Sequence, residues 1–264
     1  MNRVSDWQTI DVSVDGLVAW LRFNRPDRHN AVSSEMVIEV CAALRDLSTD
    51  PEVTVVVLTG RGATFCPGAD LQHAALHGGD VRLPGPEDYR SAQLLHEMPQ
   101  VTLAAINGGC AGAGFAWASA CDLRVASDSA RFSTSFLEVG LAGELGLAWT
   151  LQHHLGGAVA RDLCLLPRKL DAHEALATRF VSRVFPAASF DREVQALVAE
   201  LAARQPEALR QMKANFLEAE RLPLQEFIKA EAQRHLAAFS GGSGAQARAR
   251  LAEQGKRIRD SGSQ

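Results

Sequence analysis

Two turns rich in small residues, each followed by a helix-prone run, constrain the fold of this chain most. The longer stretch covers residues 106–146 and begins INGGCAGAGFAWASACDL, and the shorter covers residues 65–71, FCPGADL. Such turns leave backbone N–H groups pointing into open space at the start of a helix. Two N–H groups directed at one point form an oxyanion hole, which stabilises negative charge developing on a carbonyl oxygen.

Length and composition favour one large globular domain, or such a domain with a helical appendage. The chain has 264 residues, of which 47% are hydrophobic and 22% are charged. No apolar run approaches the roughly 20 residues of a membrane span, and the first residues lack the apolar segment of a secretory signal. We therefore expect a soluble, cytoplasmic protein without a membrane partner.

Charge and cysteine usage exclude other classes of function. A net charge of −4 argues against nucleic acid as a partner, because neutralising phosphates needs a basic face. Basic residues within 248–259 form either a solvated helix face or a contact for an anion. The five cysteines lack metal-binding spacing, so we expect free thiols, with Cys66 and Cys110 packing in the two turns. His73 and His77 lack further ligands, so we expect no metal site.

Hydrophobic periodicity predicts a mixed α/β body and a helical C-terminal third. A hairpin is expected around Asp15-Gly16, and a helix capped by Ser33 or Ser34 should run to about Leu47. Buried strands are expected over residues 54–58, 101–106 and 123–126, and helices over residues 88–98, 113–120 and 145–154. The irregular stretch 72–87 is typical of a lid or pocket wall. From residue 171 onward nearly all periodicity is helical.

Several separate motifs resemble the enoyl-CoA hydratase/isomerase family, also called the crotonase superfamily. They are Phe23-Asn24-Arg25-Pro26 with Asn30-Ala31-Val32, residues 56–60 (VVLTG) with residues 65–71, and residues 105–108 (AING) through Cys121-Asp122-Leu123. The resemblance implies a crotonase-like α/β spiral of repeated ββα units. It implies a core over residues 1–195, and a helical trimerisation region over residues 196–264 in a homotrimer or a hexamer. Acyl-CoA is the implied substrate, with no cofactor beyond the coenzyme A that the substrate carries.

By motif position, the resemblance implies that the N–H groups of Ala69 and Ala113 are the oxyanion donors. Family members commonly have glycine where Ala113 stands, but alanine keeps the N–H. The glycines around them have a simpler interpretation, which is that Gly108, Gly109, Gly112 and Gly114 only let strand and helix approach closely. A dinucleotide-binding fingerprint is a weaker alternative, because Trp117 stands where its third glycine belongs.

The carboxylates of a hydratase are missing from the corresponding positions. The resemblance places Ala116 and Phe136 where hydratases of the family carry their two glutamates, and neither residue can carry a proton. A third acidic position, used by isomerases of the family, follows a Val-Gly-Leu segment and is filled by Glu144. Burial among apolar neighbours should raise the pKa of Glu144. Alternatively Glu144 caps the helix over 145–154, and Glu138 is a second candidate acid, expected in a salt bridge or a subunit contact.

Substrate contacts are expected from aromatic side chains and from one arginine. Candidate walls of the acyl site are Phe115, Trp117, Phe136 and Trp149, although aromatic residues at such spacing are more often ordinary core. The resemblance points to Arg28 and to the backbone at Pro67 and Ala69 for coenzyme A. It also points to Phe239, contributed by a neighbouring subunit. Asp70 and Asp122 are expected to anchor turns through side-chain to backbone bonds.

The sequence thus predicts an acyl-CoA enzyme that holds a thioester enolate in the oxyanion hole while Glu144 removes a proton from one carbon and returns it at another. This reaction is double-bond isomerisation. Two alternatives stay open, a hydratase with an atypical site and a non-catalytic acyl-CoA-binding protein.

Overall fold

The computed structural model describes residues 7–70, 83–240 and 252–253 of the chain. Within these ranges the strands form two sheets. The larger sheet contains β1 (Ile10–Asp15), β2 (Val18–Phe23), β3 (Val55–Gly60), β4 (Val101–Ile106), β6 (Leu123–Ser127) and β9 (Arg183–Phe185), in that spatial order. The smaller sheet contains β5 (Gly109–Ala111), β7 (Arg131–Ser133) and β8 (Leu170–Asp171). The first pair of the larger sheet is antiparallel, and its other pairs are parallel.

Helices follow most of the strands. They are α1 (Ser34–Ser48), α2 (Ser91–Glu97), α3 (Ala113–Ala120), α4 (Leu147–Leu155), α5 (Gly157–Leu165), α6 (Ala172–Ala177), α7 (Phe190–Ala202), α8 (Pro206–Ala219) and α9 (Leu224–Ser240). Short 3-10 turns lie at Pro26–Arg28, Asp88–Arg90, Leu137–Val139 and Ala187–Ser189. None of the described helices is long and apolar enough to cross a membrane.

Local signals in the sequence placed several elements correctly. The hairpin turns at Asp15-Gly16, where Gly16 has a φ of 55°. Helix α1 begins after Ser33, whose side chain accepts a hydrogen bond from the Met36 N–H at 3.2 Å. Helix α3 covers the predicted residues 113–120. Strand β9 was missed inside the region predicted as helical, because its three residues carry no periodicity of their own.

Two hydrophobic clusters lie on opposite faces of the larger sheet. Val56 and Leu58 of β3 point into one cluster, together with α1 and α3, whereas Val55 and Val57 point into the other, together with α7. This alternation follows from the two-residue repeat of a strand and explains why β3 is apolar throughout. Every residue of α3 is buried.

The described chain divides into two compact units, one ending at Arg210 and the other beginning at Gln211. Helix α7 belongs to the first unit, so the compact body extends beyond the predicted boundary at residue 195. The second unit contains most of α8 and all of α9. Within it, the Arg234 guanidinium binds Asn215 and the Glu218 carboxylate, the latter at 2.7 Å. Its role in trimerisation stays a prediction.

Candidate active site

The first glycine turn is held so that the Ala69 N–H is left free. The Val32 N–H donates to the Gly68 carbonyl at 2.8 Å, and the Asp70 N–H donates to the Val32 carbonyl at 2.9 Å. These bonds pair Val32 with Ala69 in a parallel bridge, which directs the N–H of Ala69 to the opposite side of its strand. That N–H makes no hydrogen bond within the described part of the chain.

The second turn leaves a buried N–H at the start of α3. Gly112 precedes the helix with a φ of 51°, and its carbonyl accepts the Ala116 N–H at 3.0 Å. Ala113 is the first helical residue and is 1% exposed, yet its N–H has no acceptor among the described residues. A buried N–H without an acceptor is rare, and at a helix N-terminus it favours an anionic ligand atom.

Close contact between the two turns brings these N–H groups together. A Cβ on Gly68 would lie 3.2 Å from the Ala111 carbonyl oxygen, and one on Gly112 would lie 3.3 Å from the Cα of Gly68. A Cβ on Gly114 would lie only 2.2 Å from the Cys66 carbonyl oxygen. Close approach therefore requires glycine at position 114, as the simpler interpretation of these glycines predicted, and the same approach sets Ala69 beside Ala113.

Residues of the N-terminal motif anchor the first turn from outside. The Arg25 guanidinium forms an ion pair with the Asp70 carboxylate at 3.0 Å. The fully buried side chain of Asn30 accepts the Arg25 N–H at 2.9 Å and donates to the carbonyls of Arg61 and Thr64 at 2.9 and 2.6 Å. Sequence reasoning quoted Arg25 and Asn30 but gave them no role. The sequence signal that could have identified such a role is the polar residue Arg25, which closely follows the buried strand β2.

Glu144 lies in a turn before α4, which begins at Leu147 and not at residue 145 as predicted. The N-cap is Gly146, and no side chain caps this helix. The backbone carbonyl of Glu144 accepts the Leu147 N–H at 3.1 Å, but its carboxylate forms no cap. The interpretation of Glu144 as a helix cap is therefore wrong, because positive φ angles at Leu145 and Gly146 delay the helix.

The Glu144 carboxylate is half-buried, and its charge acts on Cys66 in the first glycine turn. It makes no hydrogen bond or ion pair with another residue of the described ranges, and burial raises its pKa. Its negative charge acts on the thiol of Cys66, which accepts hydrogen bonds from the N–H groups of Gly68 and Gly114. The charge also acts on the phenol of Tyr89. Glu144 is thus coupled electrostatically to Cys66 of the first turn and to Tyr89.

This geometry agrees with comparisons to known proteins. The family model for enoyl-CoA hydratase/isomerase matches residues 14–258. The chain belongs to the enoyl-CoA hydratase/isomerase family. It is 35% identical over 208 residues to 4-chlorobenzoyl coenzyme A dehalogenase-2 of Arthrobacter sp, covering 77% of this chain and 75% of that protein. It is 30% identical over 221 residues to the mitochondrial Delta(3,5)-Delta(2,4)-dienoyl-CoA isomerase of Homo sapiens, covering 76% and 65%.

Solved structures show the crotonase fold that the sequence predicted. A candidate enoyl-CoA hydratase of Thermobifida fusca, solved in complex with acetoacetyl-CoA, superposes with a TM-score of 0.82 at 32% identity. The match covers 88% of this chain and 95% of that chain. The family and the fold are therefore confirmed. The relatives include hydratases, dehalogenases and isomerases, so they do not identify one reaction.

The positions of the two hydratase glutamates of the family are apolar and buried. Ala116 is inaccessible inside α3, and Phe136 is 9% exposed at the start of the 3-10 turn Leu137–Val139. Asp122 accepts hydrogen bonds from the Thr102 N–H at 2.7 Å and the Thr102 hydroxyl at 3.0 Å, so it anchors β4 rather than serving chemistry.

The aromatic candidates for the acyl site separate into core and surface. Phe115 is fully buried and stacks on Phe180 with centroids 4.3 Å apart. Trp117 is fully buried as well, stacks on Phe23 and donates its indole N–H to Ser91 at 2.8 Å. Both side chains therefore pack in the core, and their contact with an acyl group stays a prediction. Trp149 is 47% exposed and lines a cavity of about 310 Å³ that Tyr89 also lines.

The residues predicted to hold coenzyme A belong to both units. Arg28, at the end of the 3-10 turn Pro26–Arg28, and Pro67 are exposed. Phe239 lies on α9 in the second unit, with its ring 4.9 Å from that of His235. His73, His77 and the basic residues of the stretch 248–259 lie outside the described residues. Contact of Arg28, Pro67 and Phe239 with a ligand stays a prediction.

The two buried thiols in the glycine turns, Cys66 and Cys110, are not activated for reaction. Burial raises the pKa of the Cys66 thiol to about 12, against the hydrogen bonds from Gly68 and Gly114, and burial also raises the pKa of Cys110 well above its usual value. Both thiols stay protonated at neutral pH, which excludes them as nucleophiles. Within the described ranges, no cluster of His, Cys, Asp and Glu is placed to hold a metal ion.

A larger cavity, of about 910 Å³, lies elsewhere on the first unit. Its lining includes Trp20 and Arg22 on β2, Asn107 directly after β4, and Asp191 on α7, and it contains none of the predicted site residues. The unpaired N–H groups and Glu144 therefore identify the site better than cavity size does.

Proposed function

We propose that this chain is an acyl-CoA double-bond isomerase in which Glu144 is the single proton carrier. One observation carries the proposal. A half-buried carboxylate with a raised pKa, lacking a partner among the described residues, acts electrostatically on Cys66 in the first of two turns whose N–H groups also lack acceptors. The positions of the two hydratase glutamates meanwhile hold Ala116 and Phe136.

The proposed reaction uses both N–H groups as oxyanion donors and Glu144 as the proton carrier. The thioester carbonyl oxygen accepts hydrogen bonds from the N–H groups of Ala69 and Ala113, which stabilise the negative charge of the enolate. The Glu144 carboxylate takes a proton from one carbon of the acyl chain. The resulting carboxylic acid returns that proton to another carbon of the conjugated enolate, so the double bond moves and no atom is gained or lost. A raised pKa suits a group that must both take and give a proton near neutral pH.

Hydration is less supported by the same residues. Adding water to a double bond requires one group to activate the water and another to donate a proton to the neighbouring carbon. Ala116 and Phe136 provide neither function at the family positions, and Glu144 alone would have to provide both.

The relatives support an acyl-CoA substrate. They also provide a second candidate reaction. By its name, the dienoyl-CoA isomerase acts on a CoA thioester, and the Thermobifida fusca protein was solved with the CoA thioester acetoacetyl-CoA bound. The dehalogenase relatives act on 4-chlorobenzoyl-CoA, and aromatic side chains line the cavity beside the Glu144 segment here. Dehalogenation of an aromatic acyl-CoA is therefore the second candidate.

Turnover assays with three CoA thioesters test the proposal. We expect isomerisation of a 3-enoyl-CoA, little hydration of a 2-enoyl-CoA, and no chloride release from 4-chlorobenzoyl-CoA. Glu144→Gln should lower the isomerisation rate about 10² to 10⁴-fold, because it removes the proton carrier but keeps the shape of the side chain.

Glu138→Gln is the matched control, since Glu138 is exposed six residues away and should be dispensable. Full activity of Glu144→Gln would show that the base is wrongly assigned. Binding of all three thioesters without turnover would establish the non-catalytic alternative, and chloride release would establish the second candidate.

A further inference from the structure

The direction of the Ala69 N–H depends on the two residues that flank Ala69. The Gly68 carbonyl accepts the Val32 N–H at 2.8 Å, and the Asp70 N–H donates to the Val32 carbonyl at 2.9 Å. Val32 and Ala69 form an isolated bridge that belongs to none of the described strands. In a longer ladder the neighbouring pairs would fix the register. Here the direction of the N–H therefore depends on whatever else holds the two segments together around this one pair.

The Arg25 guanidinium joins the two segments on the outside of that bridge. One of its nitrogens donates to the Asp70 carboxylate at 3.0 Å, and another donates to the Ala31 carbonyl. Ala31 directly precedes Val32, and Asp70 directly follows Ala69. A planar guanidinium presents several donors in a fixed arrangement, so one side chain holds both acceptors at once.

Arg25 is itself fixed by the turn that follows it. Its N–H donates to the side-chain oxygen of Asn30 at 2.9 Å, and its carbonyl accepts the Asn30 N–H at 2.8 Å. The chain reverses at His29 and Asn30, where φ is 52° and 62°, and this reversal brings Ala31 back to the guanidinium. The side chains of Arg25 and Asp70 are only 16% and 7% exposed, so water and salt compete little with their ion pair.

We propose that Arg25 and Asp70 are positioning residues for the oxyanion hole, because their ion pair sets the direction of the Ala69 N–H. Both residues act through the backbone of Ala69 and not on the substrate. A donor stabilises the enolate only where its N–H points at the oxygen, and a misplacement of about 1 Å can cost on the order of 10²-fold in rate. The inference rests on the proposed function, in which the thioester oxygen binds the N–H groups of Ala69 and Ala113.

The first test measures the hydrogen bonds to the thioester and needs no turnover. The carbonyl stretching frequency of a thioester falls when its oxygen accepts hydrogen bonds, and infrared difference spectra of acetyl-CoA with an isotope-labelled carbonyl carbon isolate this band. We expect binding to the unmodified protein to lower the frequency. Arg25→Lys keeps the charge but lacks the planar fork that reaches both acceptors, so the Ala69 donor should lose its direction while the Ala113 donor stays. About half of the lowering should then be lost.

Arg22→Lys is the matched control. Arg22 faces the Asp11 carboxylate at 3.9 Å on the first two strands, and both side chains are partly buried. An ion pair that only stabilises the fold would lower the free energy of unfolding when it is altered but leave the bound carbonyl unchanged. Equal carbonyl frequencies in Arg25→Lys and Arg22→Lys would therefore overturn the inference.

The second test uses the turnover of a 3-enoyl-CoA. Asp70→Asn keeps the size of the side chain and removes its charge, so the ion pair is lost. We expect kcat to fall about tenfold with KM changed less than about threefold, because an oxyanion donor acts mainly in the transition state. Asp11→Asn, at the control pair, should keep both constants. An unchanged kcat in Asp70→Asn would overturn the inference, and this variant replaces Arg25→Lys in the infrared measurement if Arg25→Lys does not fold.

Failure of the inference and failure of the proposed function give different results. If the 3-enoyl-CoA is not isomerised, the proposed function fails, while the infrared comparison still decides whether Arg25 directs the Ala69 N–H. If isomerisation proceeds and Arg25→Lys keeps the full lowering, the proposed function stands and the inference fails. An unlowered frequency in the unmodified protein would also overturn the inference, because the Ala69 N–H would then not bind the carbonyl.

Discussion

At the scale of single residues, the setting of Glu144 depends on the backbone of its neighbours. Gly143, Leu145 and Gly146 have φ angles of 110°, 53° and 69°. Glycine adopts such angles without cost, but for a leucine they cost about 1 kcal/mol or more. The burial of the Leu145 side chain offsets that cost. The strained turn keeps Glu144 out of α4, so its carboxylate is available to the site.

A second residue, His154, should make the stability of the protein sensitive to acid. Its Nε2–H donates to the Ser119 carbonyl at 2.9 Å. Burial, and next the positive charge of Arg124, lower the pKa of His154 to about 4 from an ordinary value of 6.5. As pH falls below about 6.5, His154 becomes protonated in the unfolded chain but stays neutral in the folded protein. Because of this one residue, the free energy of unfolding should therefore fall by about 2–3 kcal/mol between pH 6.5 and pH 4.

Chemical denaturation at a series of pH values measures this effect. His154→Gln keeps a donor for the Ser119 carbonyl and removes the titrating ring, so its unfolding free energy should fall less steeply than that of the unmodified protein. His153→Gln, at an exposed neighbour, is the control and should keep the original slope. Parallel curves for His154→Gln and the unmodified protein would contradict the prediction.

At the scale of elements, helix α3 connects the proposed chemistry to the core. Its N-terminus carries the unpaired Ala113 N–H, and at its C-terminus the buried Arg124 guanidinium donates to the carbonyls of Cys121 and Phe180. A cation near the C-terminal carbonyls complements the helix dipole. The helix is fixed against the first turn by Gly114, where no side chain fits.

Gly114→Ala should therefore disrupt the site and weaken the fold. Its Cβ would stand 2.2 Å from the Cys66 carbonyl oxygen, and both backbones would have to separate. We expect a loss of about 2 kcal/mol or more in unfolding free energy, together with weaker acyl-CoA binding. Gly109→Ala is the matched control, because its Cβ would meet only the methyl group of Thr64 at 3.5 Å. Equal stability and binding in the two variants would contradict the steric argument.

At the scale of the whole molecule, the described part of the second unit exposes several large apolar side chains. Its large exposed side chains are Met212, Phe216, Leu224, Ile228 and Leu236. Extended apolar surface of this kind favours association with another chain. It agrees with the predicted role of these helices in a homotrimer, which stays a prediction.

Sedimentation equilibrium measures the assembly directly. We expect the mass of three chains or of six, and we expect Phe216→Asp to shift the distribution toward the single chain, because a buried charge would be unpaired in the interface. Gln225→Asp, at an exposed polar position of α9, is the control and should leave the mass unchanged. A monomeric unmodified protein would contradict the predicted trimer.

The sequence by itself determined the features that depend on a few neighbouring residues. The Ser33 cap, the hairpin at Gly16 and the extent of α3 follow from local backbone and side-chain preferences. The glycine turns can also be recognised in the sequence, as can the replacement of the family glutamates by Ala116 and Phe136. These features were enough to predict the family and the fold, whereas the role of Glu144 stays a prediction.

The tertiary structure alone decided which distant residues meet. Strand β9 exists because β6 provides its hydrogen-bonding partners, and Phe115 and Trp117 are core because Phe180 and Phe23 stack on them. The start of α4 at Leu147 depends on the burial of Leu145 and the positive φ angles at Leu145 and Gly146, since local preference alone would begin the helix at Leu145. The cavity lined by both Tyr89 and Trp149 brings together residues that are distant along the chain. Burial and long-range pairing are properties of the assembled core, so no local pattern encodes them.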